Sequence, residues 1–242
     1  MGPRPKSGSV APEAPVAPAG LLLAAGGGSR LGRPKALVEF RGEPLVRRGI
    51  RLLRLGGCDR VTVVAGAGSD RVRRLVEDRA DTVENPDWPS GMGGSLRTGL
   101  LALDGAPAVV VALVDQPLVG PEAVRLLVDA WREGAVIAAA TYGAVMRNPV
   151  LFDAAVLDEV CRGAEGDRGA RALLRDRADW VQRVPCDAVA SPRDIDTAAD
   201  LDALSREPDP NPAADRDSPK EPPWSCPTRS PFPSASTRPS RC

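Results

Sequence analysis

The sequence predicts an α/β fold in which a largely parallel sheet is sandwiched between helices. Two observations lead there. Short apolar, β-branched runs recur along the chain, at 21–24, 61–65, 109–114, 135–141, 149–152 and 180–184. Stretches with helical spacing separate most of them, and alternating strands and helices imply parallel strands with crossover helices. A third observation locates the chemistry. The first run ends in a glycine-rich loop, Gly26-Gly27-Gly28-Ser29-Arg30-Leu31-Gly32-Arg33-Pro34-Lys35, and in parallel sheets ligands sit beyond the carboxyl ends of strands.

The elements follow in order. Residues 1–19 are rich in Pro, Ala, Gly and Ser, cannot bury enough apolar surface to order themselves, and are expected to form a disordered tail. Residues 20–206 form one domain of ordinary size. After the first loop, Leu45, Val46, Ile50, Leu52 and Leu53 stand against Arg47, Arg48, Arg51 and Arg54, a helix with one apolar face. A second glycine loop, Gly91–Ser95 in outline, precedes a helix expected to begin near Leu96. The 109–114 run is the most apolar in the chain and ends at Asp115-Gln116-Pro117. Pro121 then opens a helix carrying Val124, Leu127, Val128 and Trp131, proline being favoured in a first turn. Late in the chain, Thr197 with Asp200 forms a capping box for a last helix. Residues 207–242 are Pro- and Ser-rich and read as a second disordered tail.

Composition excludes whole classes of function. The chain has 32 basic and 32 acidic side chains, so its net charge is zero, and only 3% of its residues are aromatic. This gives no electrostatic case for nucleic acid, and stacking platforms are scarce. No apolar run is long enough to span a membrane, and Pro12, Pro15 and Pro18 interrupt any secretion-signal core. The five cysteines are odd in number and contain no C-x-x-C pair, which points to a reducing cytoplasm rather than disulfides or a zinc site. With no histidine in the chain, no Ser-His-Asp or Cys-His relay and no H-E-x-x-H metal site can form. Reactions whose nucleophile is already ionised at neutral pH suit what remains.

The first loop carries the one lysine between residues 20 and 206, in a chain that otherwise uses arginine. An ammonium is a compact point charge where guanidinium is a planar fork, so Lys35 suits a phosphate gripped at one point. A P-loop does not fit, because Arg33 and Pro34 stand between Gly32 and Lys35 and Ala36 follows it. A dinucleotide fingerprint does not fit either, since Leu31 occupies the third glycine's place and no acidic residue ends the 61–65 strand.

The stretch does resemble the signature of nucleotidyltransferases that activate phosphorylated small molecules, L-A-A-G-x-S/G-x-R-M-G-x-P-K. More narrowly it resembles the molybdenum cofactor cytidylyltransferase branch of the MobA-like NTP transferase family. Further matching blocks follow in order: Asn85-Pro86-Asp87-Trp88 with Gly91-Met92-Gly93-Gly94-Ser95-Leu96-Arg97; Val114-Asp115-Gln116-Pro117; Arg147-Asn148-Pro149-Val150-Leu151-Phe152; Gly166-Asp167-Arg168-Gly169-Ala170-Arg171; and Asp194-Ile195-Asp196-Thr197-Ala198-Ala199-Asp200-Leu201.

The resemblance implies a three-layer α/β/α Rossmann-like nucleotidyltransferase fold with a mostly parallel, mixed central sheet. It implies a nucleotide site at Leu23, Ala24, Ala25, Gly26, Gly27, Arg30, Lys35, Gly94 and Ser95, with Lys35, Arg30 and Asp115 as catalytic residues. Mg²⁺ is expected on Asp115 and Asp196; Asp115 is also a candidate turn residue and Asp196 adjoins the capping box. An acceptor site is expected at Arg147, Asn148, Asp167 and Arg171, with Asn148 standing where many relatives carry histidine. The implied reaction transfers CMP from CTP to the phosphate of molybdopterin, the product passing to a molybdenum hydroxylase. Ala25, where the guanylyl-transferring branch tends to carry glycine, narrows the base site and favours a pyrimidine. A sugar or polyol phosphate acceptor, an NAD(P)H-dependent oxidoreductase on the same fold, and a non-catalytic cofactor carrier are the alternatives.

Overall fold

The computed structural model describes residues 16–166 and 169–211. Of the expected tails, residues 1–15 and 212–242 lie outside the described residues, as does the candidate acceptor residue Asp167.

The strands are β1 (Ala19–Ala24), β2 (Glu39–Phe40), β3 (Glu43–Pro44), β4 (Val61–Ala65), β5 (Asp81–Glu84), β6 (Ala108–Leu113), β7 (Ile137–Tyr142), β8 (Val145–Asp153) and β9 (Val181–Pro185). The α-helices are α1 (Leu45–Leu55), α2 (Ser69–Val76), α3 (Met92–Ala102), α4 (Pro121–Arg132), α5 (Ala154–Gly163), α6 (Arg171–Asp176) and α7 (Ala198–Leu204). β2 and β3 form a small hairpin, and the other strands make one sheet ordered β5-β4-β1-β6-β8-β7-β9. β8 runs antiparallel to both neighbours, and every other pairing in the sheet is parallel. The expected mixed, mostly parallel sheet is the one observed.

Period-two alternation along β1 divides the core. Leu22 and Ala24 face one apolar cluster, shared with Ile50 and Leu53 of α1, Val72 of α2, Val124 and Leu127 of α4, and Leu204 of α7. Leu21 and Leu23 face the other, shared with Leu96 and Leu100 of α3, Val156 and Val160 of α5, and Leu174 of α6. Because both faces are covered, the central strands read as continuous apolar runs, which made them recognisable.

Three differences from expectation have physical reasons. β5 (Asp-Thr-Val-Glu) is an edge strand, half covered, with too few apolar residues to signal itself. α2, α5 and α6 are short and bury few residues each, so their apolar stripes are brief. The helix expected near Leu96 begins four residues earlier, at Met92, so the expected loop residues Gly93, Gly94 and Ser95 form its first turn. Gly93 permits this because a Cβ there would lie 2.6 Å from the backbone of Glu165.

From β1 the chain winds to β4 and β5 on one side and reaches β6 on the other. The ends of β1 and β6, in register at Leu23 and Leu113, therefore flank the topological switch point where such sheets bind ligands. Close packing between layers tests this arrangement. A Cβ on Gly99 of α3 would lie 2.4 Å from Leu21 Cδ1 and 2.7 Å from Val64 Cγ2, both buried. Gly99→Ala is expected to destabilise by about 1–3 kcal/mol through overpacking, although alanine is the better helix former. A thermal melt reads this as a fall in Tm of roughly 2–12 °C, and an unchanged or raised Tm would contradict the packing.

Candidate active site

The glycine loop leaves β1 at Ala25 and returns on itself: the Lys35 amide donates to Gly26 O (3.3 Å) and the Leu31 amide to Gly28 O (2.9 Å). Gly28 is left-handed at φ 60°, and a Cβ there would meet Arg33 O at 2.2 Å, so only glycine closes this loop. The closure brings Lys35 back over the end of the sheet. Its Nζ lies 2.5 Å from Asp115 Oδ2 and 2.6 Å from Asp196 Oδ1. Arg30 reaches the other oxygen of Asp196 at 2.9 Å. Four candidate residues from three distant segments thus meet around one point.

A second set of bonds holds the two carboxylates in place. The Ile195 amide donates to Asp115 O at 2.8 Å. Gln116, only 6% exposed, donates through Nε2 to Pro192 O (3.1 Å) and Asp194 Oδ1 (2.9 Å). Residues 191–196 are irregular rather than the extended strand that would set Asp194 beside Asp196 on one face. Asp194 instead turns to Gln116, and Asp196 alone faces Lys35. Thr197 and Asp200 form the expected capping box immediately beyond.

The electrostatics follow from this geometry. Burial disfavours the charged form of Lys35, but its two carboxylate partners outweigh burial and hold its pKa above the usual value. The hydrogen bond from Lys35, with help from Arg30, holds the Asp196 carboxyl below its usual range. Burial, then the charge on Asp115, pushes Asp194 upward.

Two cavities open at this end of the sheet. One, of about 310 Å³, is lined by Leu23, Ala25, Gly26, Lys35 and Asp115, and also by Trp88, Pro89, Gly91, Met92 and Ser95. The other, of about 80 Å³, holds Arg147, Asn148 and Arg171 among apolar side chains that include Val111, Val150 and Phe152. Leu23, Met92 and Leu113 line both. Three of the four candidate acceptor residues are therefore gathered beside the candidate nucleotide residues.

Others sit differently. The Ala24 side chain is fully buried in the core opposite, so it reaches the cavity only through its backbone neighbours. Ser95 is buried, its hydroxyl accepting from Asn85 Nδ2 at 3.0 Å. Gly94 does not line the larger cavity; a Cβ there would lie 3.4 Å from Ser90 Oγ. Sequence reasoning assigned no role to Trp88 or Gln116. Only the sequence neighbourhood of each, a glycine loop and a strand-end aspartate, offered a signal.

The linkage between Lys35 and Asp196 is measurable. Stability arising from the lowered Asp196 pKa is present above the unfolded carboxyl value of roughly 3.9 and fades as pH falls through the folded value. That from the raised Lys35 pKa is present below the unfolded lysine value and fades as pH rises through the folded one, so the cluster is intact at neutral pH. In Lys35→Met the two carboxylates lose their shared cation, and carboxyl-detected NMR is expected to show Asp196 titrating at higher pH than in the wild type. An unmoved titration would contradict the cluster.

The comparisons with known proteins agree with this architecture. Residues 20–184 match the family described as "MobA-like NTP transferase domain". The chain is 37% identical over 190 residues to nicotine blue oxidoreductase from Paenarthrobacter nicotinovorans, spanning 75% of this chain and 93% of that one. It is 35% identical over 101 residues to a probable molybdenum cofactor guanylyltransferase from Opitutus terrae, spanning 42% and 49% respectively. Among solved structures, Rv0371c from Mycobacterium tuberculosis in complex with manganese superposes with a TM-score of 0.66 at 28% identity, covering 78% of this chain and 98% of that one. The glycine loop, the strand-end aspartate and the late aspartate meet at the switch point of the sheet, and the chain belongs to the MobA-like NTP transferase family and is a nucleotidyltransferase.

Proposed function

We propose that this enzyme transfers CMP from CTP to the terminal phosphate of molybdopterin, releasing pyrophosphate. The observation that carries the reading is the Lys35 ammonium held by Asp115 and Asp196, with Lys35 and Asp115 on the wall of the cavity beside the glycine loop, which adjoins a second cavity lined by Arg147 and Arg171.

A phosphate monoester has a second pKa near 6 and is mostly dianionic at neutral pH. An oxygen of the acceptor phosphate forms a bond to the α-phosphorus of CTP while the bond from that phosphorus to the α,β-bridging oxygen breaks. No proton need be removed, in keeping with a chain that lacks histidine. What the residues supply is position and charge. Lys35 and Arg30 steady the triphosphate and the leaving pyrophosphate, while Arg147 and Arg171 attract the acceptor's phosphate. The apolar side chains of the smaller cavity offer contact to the face of a flat ring system such as a pterin, while Arg147, Asn148 and Arg171 offer donors to its polar edge. The Ala25 methyl on the wall of the larger cavity favours the smaller pyrimidine base.

The carboxylates fit a hard divalent cation. Both lie within bonding distance of one cationic atom, and among the described residues no third His, Cys, Asp or Glu completes a cluster. Mg²⁺ asks for no more, since it takes one or two carboxylates and fills its octahedron with water and substrate phosphates. When bound at Asp115 and Asp196 it would neutralise charge on the phosphates. Lys35 would then be free to turn from the carboxylates toward the triphosphate.

A second reading is favoured by one observation: the relative matched over 93% of its length is named as an oxidoreductase. Oxidation of NADPH in the presence of an electron-accepting substrate tests it. β4 ends at Ala65 and continues into Gly66, without the carboxylate that would hold the ribose of such a cofactor.

The decisive experiment incubates the enzyme with Mg²⁺, molybdopterin and each NTP in turn, and measures pyrophosphate release. Release with CTP foremost is expected, and none with any nucleotide would overturn the proposal. Lys35→Ala is expected to fold normally and to lose about 10²–10³ in rate, the usual cost of a preorganised charge contact. Asp115→Ala is expected to lose a similar factor and its response to Mg²⁺. Wild-type turnover by either variant would rule out its assigned role.

A further inference from the structure

The larger cavity is lined by two unlike sets of side chains: Lys35 and Asp115 carry charge, whereas Trp88, Pro89, Gly91, Met92 and Ser95 do not. A nucleoside triphosphate has the same polarity, with charge at one end and a flat base at the other. Resting on the nucleotidyltransferase reading above, we propose that the indole of Trp88 is the surface against which the nucleobase packs.

Trp88 occupies a seat made for it by two glycines from separate loops. A Cβ on Gly66, just past β4, would lie 2.7 Å from both Cβ and Cγ of Trp88. A Cβ on Gly27, in the loop after β1, would lie 2.7 Å from Cη2, at the far edge of the same indole. Side chains at either position would displace the ring. Ala25 borders the seat, 2.8 Å from where a Gly66 Cβ would stand, and its methyl lines the same cavity. The ring is held at its base as well: the Trp88 amide donates to Asn85 O (3.3 Å), and the Gly91 amide donates to Trp88 O (3.3 Å). Asn85 is itself buried and bonded to Ser95 and to the Asp87 amide.

The result is a large apolar plate, half-buried, fixed between the loop that carries Lys35 and the turn that opens α3. Every base has a π-face, so such a plate binds any of them. Its contribution is separable from that of the phosphate end. Discrimination between bases then falls to groups around the ring's edge, Ala25 among them.

The test compares two probes: CTP, which has base and phosphates, and inorganic tripolyphosphate, which has phosphates alone. Wild-type binding of CTP is expected to quench a component of the tryptophan fluorescence, and Trp88→Phe, which keeps the other three tryptophans, is expected to lose that quenching. Trp88→Ala is expected to weaken CTP binding by about tenfold while leaving tripolyphosphate binding unchanged, as stacking on one base typically implies. Trp88→Phe, which keeps a ring, is expected to restore most of the affinity, and Gly66→Ala, which displaces the ring, to resemble Trp88→Ala. Equal losses for both probes in Trp88→Ala would mean that the indole only props the loop, and would overturn the proposal. CTP affinity unchanged in Trp88→Ala would overturn it too. Failure of the wild type to bind CTP at all would instead count against the nucleotidyltransferase reading itself.

Discussion

The ion cluster of Lys35, Asp115, Asp196 and Arg30 constrains everything around it. Lys35 and Asp115 are 80 positions apart, and Lys35 and Asp196 are 161 apart. Bringing three such segments within bonding distance of one atom requires parallel strands that end on a common line and loops that return to it. The switch point between β1 and β6 supplies that line. The cation and its two carboxylates are only half-buried, so their pairing fixes positions more than it adds stability. The left-handed Gly28, the Gln116 bonds and the capping box all serve to keep the partners where they are.

This cluster also explains how a chain without histidine can host group transfer. Charges placed in advance do the stabilising, and the nucleophile arrives ionised. The arrangement places its demand on geometry rather than on proton exchange. The nearest further titratable groups, Asp194 and Asp200, are taken up by hydrogen bonds with Gln116 and with the Asp196 and Thr197 amides.

Much of this was legible in the sequence, for identifiable reasons. β1, β4 and β6 are covered on both faces, so their apolar runs were unmistakable, and their ends pointed to Lys35 and Asp115. Thr197 with Asp200 announced α7 through local chemistry. The early start of α3 was hidden because Gly93 and Gly94 are poor helix formers, and only contact with Glu165 explains the first of them. Only the resemblance singled out Asp196; in space a distant side chain, Gln116, sets Asp194 apart from it. Trp88 was visible as a residue but not as a surface, since its seat is made by the absence of side chains at Gly27 and Gly66. Local signals are readable along the chain, whereas complementary shapes contributed by distant segments are not.

One further feature lies just past the last helix. Arg48 of α1, only 3% exposed, donates through Nε to Pro117 O at 2.8 Å and pairs through its other end with Asp209. Arg41 pairs with Asp209 at 3.1 Å, and Arg51 with the Asn211 side chain at 2.6 Å. Residues 207–211 read by composition as the start of a disordered tail, yet Asp209 neutralises a guanidinium enclosed beside the turn that carries Asp115. The edge of the folded unit at this end is drawn by charge neutralisation rather than by oil-like burial. One arginine thus ties this segment to a backbone oxygen two residues from Asp115.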